Sequence, residues 1–316
     1  MSAHSLPLGI DIGSSRIRVA HAVKEKGGPA LRAIAVREFS SGAIENGTVV
    51  DIDYTAALIE DAVSELRTRE RRCVGAIGAP HAFLKPLKLP PMTSYEREKA
   101  ARFEARRYVD EHFGDAVVRV RPLDPKNRLW TLGIARKNVL QSRAAAIKRA
   151  GLRIDAIDDE GHALRRAFPS FNLIVDVGLR QTRVHAAATS QTFHTYAGGS
   201  DITAAISSDL RIDEASAEKR KRILGTAGAG EPARLELVRE IAALIALFGT
   251  ISPGQKGVVV GNGARLSGLS QDLKSATGIQ CDMIVSPLFG RTSYPRDVIA
   301  AAAPDWTLAV SLAMRP

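Results

Sequence analysis

Apolar and polar positions change their spacing several times along the 316-residue chain, and each change marks an element. Leu8 to Ile12 (LGIDI) form an apolar run broken by a single carboxylate, Asp11. After Gly13, Ser14 and Ser15 the sequence alternates Arg16, Ile17, Arg18 and Val19. A period of two on either side of a glycine–serine turn predicts a β-hairpin with an acid at the end of its first strand. An unpaired buried carboxylate costs several kcal/mol, so Asp11 is either held locally or holds a cation or polar ligand.

Further along, Leu31–Glu38 read as a strand, Asn46-Gly47 as a turn, and the spacing of Ala57, Leu58, Ala62, Val63 and Leu66 as a helix over 54–67. Cys73–Ile77 return to strand. LKPLKLPPM (Leu84–Met92) is proline-rich and extended, and a charged helix follows, capped by Ser94 and running to about Glu111. Strands over Asp115–Arg121 and Leu129–Ala135 precede a helix over Asn138–Ala150 that Gly151 stops.

The second half opens with a strand at Arg153–Ile157 and a helix at His162–Ala167. LIVDVGLRQTRVHAAA (Leu173–Ala188) then repeats the first hairpin, with Asp176, Gly178, Arg183 and Val184 in the places of Asp11, Gly13, Arg18 and Val19. One copy in each half implies a duplication. TYAGGSDIT (Thr195–Thr203) is a glycine turn into a helix capped by Ser200 or Asp201, and helices follow at Asp213–Ile223 and Ala233–Phe248. GVVVGNGARLSGL (Gly257–Leu269) reads as a buried strand, a glycine turn and a helix starting near Ala264. That order leaves backbone N–H groups at a positive helix end, which suits an anion.

Composition narrows the function. With 45% hydrophobic and 25% charged residues the chain has material for two cores. It has no apolar run of the roughly 18–20 residues that cross a bilayer and no signal-like N-terminus, so a cytoplasmic location is expected. Cys73 and Cys281 are too far apart in sequence to suggest a disulfide framework or zinc site, and the seven histidines are scattered. The net charge of +10 suits an anionic partner. Its basic clusters at 67–72, 102–107 and 219–222 read as solvated helix faces, and 5% aromatic content argues against a nucleic-acid module.

Taken together, DIGSS, DVGLRQT, GGSDIT, AEKRKR and GNGARLSGL resemble the actin-like ATPase superfamily of actin, Hsp70, MreB and FtsA. SGAIENGTVVD, LKPLKLPPM and the closing LAVSLAMR further resemble the PilM family of type IV pilus assembly proteins, so the likeness spans nearly the whole chain. It implies a duplicated, RNase H-like α/β fold of two lobes. Residues 1–78 would form the first lobe (1A), 79–150 an inserted α+β subdomain of 1C type, and 151–316 the second lobe (2A/2B), whose last helix returns towards the first.

The resemblance also implies ATP and Mg²⁺ as ligands. Asp11, Gly13, Ser14 and Ser15 match the first phosphate loop, and Asp176, Gly178 and Thr182 the second. Asp11 and Asp176 would hold Mg²⁺ through water, with the two hairpins facing each other across a cleft. Gly199 matches a turn near the phosphates. Glu218, Lys221 and Arg222 match a pattern flanking adenine and ribose, Gly261 and Gly263 the adenosine loop, and Asp305 an acid near the ribose. Asp158, Asp159 and Glu160 stand where related ATPases orient a hydrolytic water, with Asp158 and Glu160 as the candidates, which admits slow Mg-dependent ATPase activity.

The implied partner is the cytoplasmic N-terminal tail of a PilN-like inner-membrane protein, docked at the 79–150 block in a nucleotide-sensitive way. Membrane association would then be indirect, at the inner face of the inner membrane, and self-association stays open. The competing readings are a small-molecule kinase of the same superfamily, a division or cell-shape filament protein like FtsA or MreB, and a scaffold that binds no nucleotide.

Overall fold

The computed structural model describes residues 4–39, 42–109, 114–124, 126, 128–187 and 191–315. They form two compact units: 4–22, 33–163 and 312–315 make the first, and 23–32 with 164–311 the second. No helix among the described residues is long and apolar enough to cross a membrane.

The chain begins with β1 (His4–Ser5), β2 (Leu8–Ile12), β3 (Arg16–Glu25) and β4 (Gly28–Glu38), the end of β3 and the start of β4 being counted with the second unit. A small hairpin follows, β5 (Ile44–Glu45) and β6 (Thr48–Val49), turning on Asn46 and Gly47 with φ of 44° and 76°. Two adjacent positive φ values give the twist that matches the flanking strands, and asparagine–glycine adopts them at least cost. Next come α1 (Ile52–Glu65), capped by Asp51, and β7 (Arg72–Ile77).

The inserted block holds β8 (Ala82–Lys88), α2 (Ser94–Ala105), β9 (Ala116–Asp124) and β10 (Leu129–Arg136), followed by α3 (Lys137–Arg149) and β11 (Arg153–Asp159). The principal sheet runs β1-β3-β2-β7-β11, with β4 also on β3; β2 and β3 are antiparallel, while β7 and β11 run parallel to β2. Its core includes Leu8, Ile10, Ile17, Val19 and Ile59 together with Ala146 and Ile147 of α3.

Several expectations change here. The proline-rich LKPLKLPPM segment is partly a true strand: Pro86 lies in β8 opposite Thr131. Thr93, not Ser94, caps α2, because its hydroxyl accepts the Glu96 N–H at 3.3 Å while Glu96 accepts the Thr93 N–H at 2.8 Å. This reciprocal pair satisfies two otherwise unpaired donors. The helix ends at Ala105; the expected end at Glu111 lies outside the described residues.

The small antiparallel sheet β8-β10-β9 has its own core of Ala101, Ala105, Leu132 and Ile134. Helix α3, expected inside this block, packs on α1 instead. Strand β11, expected to open the second lobe at 151, extends the first sheet by pairing with β7 from Arg153↔Arg72 to Asp159↔Ile77. The chain therefore divides after Ala163 rather than after 150.

In sequence, α4 (Glu160–Ala167) leads to β12 (Leu173–Val177), β13 (Thr182–Ala186), β14 (Thr192–Thr195), α5 (Gly199–Leu210), α6 (Glu214–Leu224), α7 (Glu231–Ala246), β15 (Lys256–Val260), α8 (Leu269–Thr277), β16 (Gln280–Met283) and α9 (Arg296–Ala313). The second unit's sheet runs β14-β13-β12-β15-β16. Its first three strands form an antiparallel meander and its last two run parallel to β12. That is the plan of β4-β3-β2-β7-β11 in the first unit, so the duplicated hairpins head duplicated sheets. The helix expected at Ala264 starts later: one 3₁₀ turn spans Asn262–Arg265, and Gly268, at φ +84°, precedes α8.

Both cysteines are fully buried, and burial is the main cause pushing each thiol up to about 12. A thiol held protonated is a poor nucleophile. Ellman's reagent is accordingly expected to find no fast-reacting thiol in the native chain and two after guanidinium unfolding. A fast thiol in the native protein would contradict this packing.

Candidate functional site

The two repeated hairpins end alike, and each can be read within its own unit. Asp11 stands opposite Arg18 in the β2–β3 register, and Arg18 Nη1 donates to Asp11 Oδ2 at 3.3 Å. Asp176 stands opposite Arg183 in β12–β13, with Nη1 3.8 Å from Oδ2. The turns close the same way: the Gly13 N–H donates to the Arg16 carbonyl at 2.9 Å, and the Gly178 N–H to the Gln181 carbonyl at 3.0 Å. A cross-strand arginine thus balances each mostly buried carboxylate, which is how an acid survives at the end of an apolar strand. Beyond the glycines, the N–H groups of Ser14 and Ser15, and of Leu179 and Arg180, donate to no backbone carbonyl among the described residues. Successive N–H groups in a turn suit anions.

In the second unit this loop is welded to the start of α5. The Gly199 N–H donates to the Gly178 carbonyl at 3.0 Å, and the Ser200 N–H to the Leu179 carbonyl at 2.8 Å. Helix α5 therefore spends its first amides on the loop, Gly199's included. Thr182 is fully buried and its hydroxyl donates to the Ala197 carbonyl at 2.8 Å, so it positions the turn and is not in reach of a ligand. Gly198 is the residue the sequence reading missed. A Cβ there would lie 2.5 Å from the Leu179 carbonyl oxygen, so only glycine lets the backbones approach this closely. The doubled glycine of AGGSD was its signal.

Glu218 and Lys221 would read as an exposed helix ion pair, but they form a half-buried knot. Lys221 Nζ donates to Glu218 Oε2, the Gly199 carbonyl and Thr203 Oγ1, each at 2.6 Å, which uses all three of its protons. The Thr203 hydroxyl donates to Glu218 Oε2 at 2.7 Å, and Arg222 Nε reaches Oε1 at 2.9 Å. Burial by itself raises the Glu218 pKa, yet the hydrogen bonds and charge of Lys221 and the bond from Thr203 outweigh it and hold the carboxyl below its usual range. α6 is thereby pinned to the first turn of α5.

The glycines after β15 serve the end of β12. Gly261 has φ +80°, and a Cβ there would sit 2.6 Å from the Val177 carbonyl oxygen and 2.7 Å from Asp176 Oδ1. At Gly263 a Cβ would come within 2.7 Å of the Val177 Cβ. Their bareness keeps Asp176 and its loop in place. Asp305, on α9, is paired with Arg265 Nη1 at 3.0 Å, and Arg265 also donates to Asn262 Oδ1 at 3.3 Å.

In the first unit the acidic run at the end of β11 and the start of α4 separates into three roles. Asp159 accepts the His162 N–H at 2.8 Å and so caps the first turn of α4. Asp158 lies 3.5 Å from both His162 Nδ1 and Arg315 Nε, which makes it an ion-pair residue. Glu160 is buried with its carboxylate against Gly78, where an added Cβ would meet Oε2 at 2.5 Å. Gly78, just after β7, is a second residue the sequence reading missed. Ile10 and Ile157 both align with Gly75, so Asp11 and Asp158 sit at the same carboxyl edge of parallel strands, the edge where open α/β sheets bind ligands. No group of three or more potential metal ligands occurs among the described residues.

A model of the family "Type IV pilus assembly protein PilM" matches residues 9–316. Among solved structures, a chain of a "PilM-PilN type IV pilus biogenesis complex" is 26% identical with a TM-score of 0.86, covering 98% of each chain. Ethanolamine utilization protein EutJ from Carboxydothermus hydrogenoformans follows at 15% identity and TM-score 0.63, over 98% of this chain and 89% of that one. A Bacteroides thetaiotaomicron protein described as having an actin-like ATPase fold matches at 9% identity and TM-score 0.53, over 97% and 95%. The latter two speak for the fold alone. With duplicated sheets, duplicated hairpin ends and a family match over nearly its full length, the chain has an actin-like fold and belongs to the PilM family of type IV pilus assembly proteins.

Proposed function

We propose that this chain binds Mg²⁺-ATP and, in a nucleotide-sensitive way, the N-terminal tail of a PilN-like inner-membrane protein. The observation that carries the nucleotide reading is the repeated loop, an aspartate followed by a turn whose next N–H groups donate to no backbone carbonyl among the described residues, once in each unit. In each unit that loop is the phosphate grip, with Ser14 and Ser15 in the first and Leu179 and Arg180 in the second as donors. Each aspartate, Asp11 in the first unit and Asp176 in the second, suits Mg²⁺ held through its waters, the mode this ion prefers. A cross-strand arginine accompanies each of these carboxylates.

Glu218, Lys221 and Arg222 on α6 and the Gly261–Gly263 turn frame the nucleoside, with Gly198, Gly199 and Thr182 fixing the loop from behind. For hydrolysis, Glu160 is the better candidate than Asp158, whose charge already serves Arg315 and His162. The partner reading rests on the 26%-identical relative, which is described in a complex with PilN. Docking at the inserted block would place the chain at the cytoplasmic face of the inner membrane through its partner.

Calorimetric titration of the full chain is expected to give a micromolar Kd for Mg²⁺-ATP, about 8 kcal/mol. Binding should weaken on chelating Mg²⁺, and Asp11→Asn or Asp176→Asn should blunt that dependence. Absence of any heat with ATP, with or without Mg²⁺, would refute the nucleotide reading. Fluorescence anisotropy of a labelled PilN-like tail, with and without Mg²⁺-ATP, tests the partner separately, and no binding in either condition would refute it.

A further inference from the structure

The inserted block exposes a sheet edge to which the function proposed above assigns no residue. Among the described residues β9 pairs with β10 alone, so its other side is an edge. A groove of ≈ 270 Å³ runs along that side, lined by four consecutive residues, Val118 to Arg121, and by Glu98, Ala101 and Arg102 of α2. Consecutive strand residues point to opposite faces, so four in a row can line one groove only along the backbone edge. The α2 residues, spaced i, i+3 and i+4, present one helix face to it. The space is below the usual range for a small-molecule pocket.

Charge selects the occupant. Val118 and Val120 pack towards the Ala101–Leu132 core, while Arg119 and Arg121 stand exposed on the other face. Neither these arginines nor Arg102 makes an ion pair among the described residues; Arg119 donates only to its neighbouring Val118 carbonyl, at 2.9 Å. Edge strands carry charges and prolines to prevent indiscriminate pairing, and here Pro122 ends the usable edge. A second copy of this strand would set arginine against arginine, which is unfavourable.

We propose that the β9 edge takes an acidic, extended segment of a partner protein as an added strand, with carboxylates at i and i+2 facing Arg119 and Arg121 and the intervening apolar side chain lying in the groove against Ala101. Backbone pairing supplies the affinity and the alternation supplies the selectivity. The proposal stands independently of the nucleotide and tail readings.

The probe is a fluorescein-labelled peptide, Glu-Val-Glu-Val-Glu-Val, titrated by anisotropy against the full chain, beside Glu-Glu-Glu-Val-Val-Val of equal charge. The alternating peptide is expected to bind at least about tenfold tighter, and Arg119→Glu with Arg121→Glu, both on the surface, to remove that advantage. Two N-methylated versions, blocking odd or even amides, separate pairing from mere charge attraction: one should lose binding and the other retain it. Equal binding of the alternating and block peptides, or of the two N-methylated versions, would overturn the proposal. So would self-association of the chain that disappears in the double arginine variant, because the edge would then belong to a second copy.

Discussion

Replacing Gly261 by alanine is expected to destabilise the second unit by about 2–6 kcal/mol, far more than its single methyl group suggests. At φ +80° and ψ 175° the backbone sits where essentially only glycine does, at a cost of about 1–3 kcal/mol for an L-residue, and overpacking against atoms that cannot move adds about 1–3 kcal/mol. The atoms in the way are the Val177 carbonyl oxygen and Asp176 Oδ1, at 2.6 and 2.7 Å, and the carbonyl is backbone of a central strand. Gly249 is the comparison without a clash: its φ is +63° and nothing lies within 4 Å of an added Cβ, so Gly249→Ala should show the cost of a positive φ with no overpacking. Urea midpoints of the two variants measure the difference. Equal shifts would mean that the turn after β15 does not press on the end of β12. Because the pressure falls on Asp176, Gly261→Ala should also weaken Mg²⁺-ATP binding if the proposed phosphate grip is correct.

Most of the fold was legible because its signals were local. The hairpin repeat was written in Asp-x-Gly and alternating arginines, and the structure gives both copies the same register, Asp11↔Arg18 and Asp176↔Arg183. Gly151 at φ +73° ended its helix as expected, and Asn46-Gly47 turned its hairpin. What escaped was set by distant pairing. Nothing in Arg153–Asp159 says that its neighbour is β7, some eighty residues earlier, so the division of the chain was placed too early. The same holds for the site. Its candidate aspartates were proposed from the hairpin repeat and most of its glycines from the family resemblance, but the sequence did not show that Thr182 is sealed under Ala197, that Gly198 makes room for a carbonyl, or that Arg265 claims Asp305. An isolated ion-pair pattern on α6 looked solvated because the acceptors that bury it, Thr203 and the Gly199 carbonyl, belong to another helix.

Lys221→Met should uncouple that knot and invert part of the acid response of the protein. The substitution keeps the length of the side chain but strips a half-buried carboxylate, a hydroxyl and a carbonyl of one shared donor, a loss of about 1–3 kcal/mol. In the native chain Glu218 titrates below its usual range: burial pushes it up, but Lys221 and Thr203 push it further down. A carboxyl with a depressed folded-state pKa stabilises above its unfolded value, and that contribution fades as pH falls through the folded one. Acid therefore removes stability from the native protein through Glu218, and Glu218→Gln should flatten the stability curve below about pH 4.5. With Lys221 gone, burial faces weaker opposition and the Glu218 pKa rises, so acid should cost the Lys221→Met variant less than it costs the native chain. Urea-derived stabilities of the three proteins between about pH 3.5 and 6 decide the matter. Parallel curves would show that the ammonium does not govern this carboxylate, and α6 would then be held to α5 by packing rather than by the Lys221 bonds.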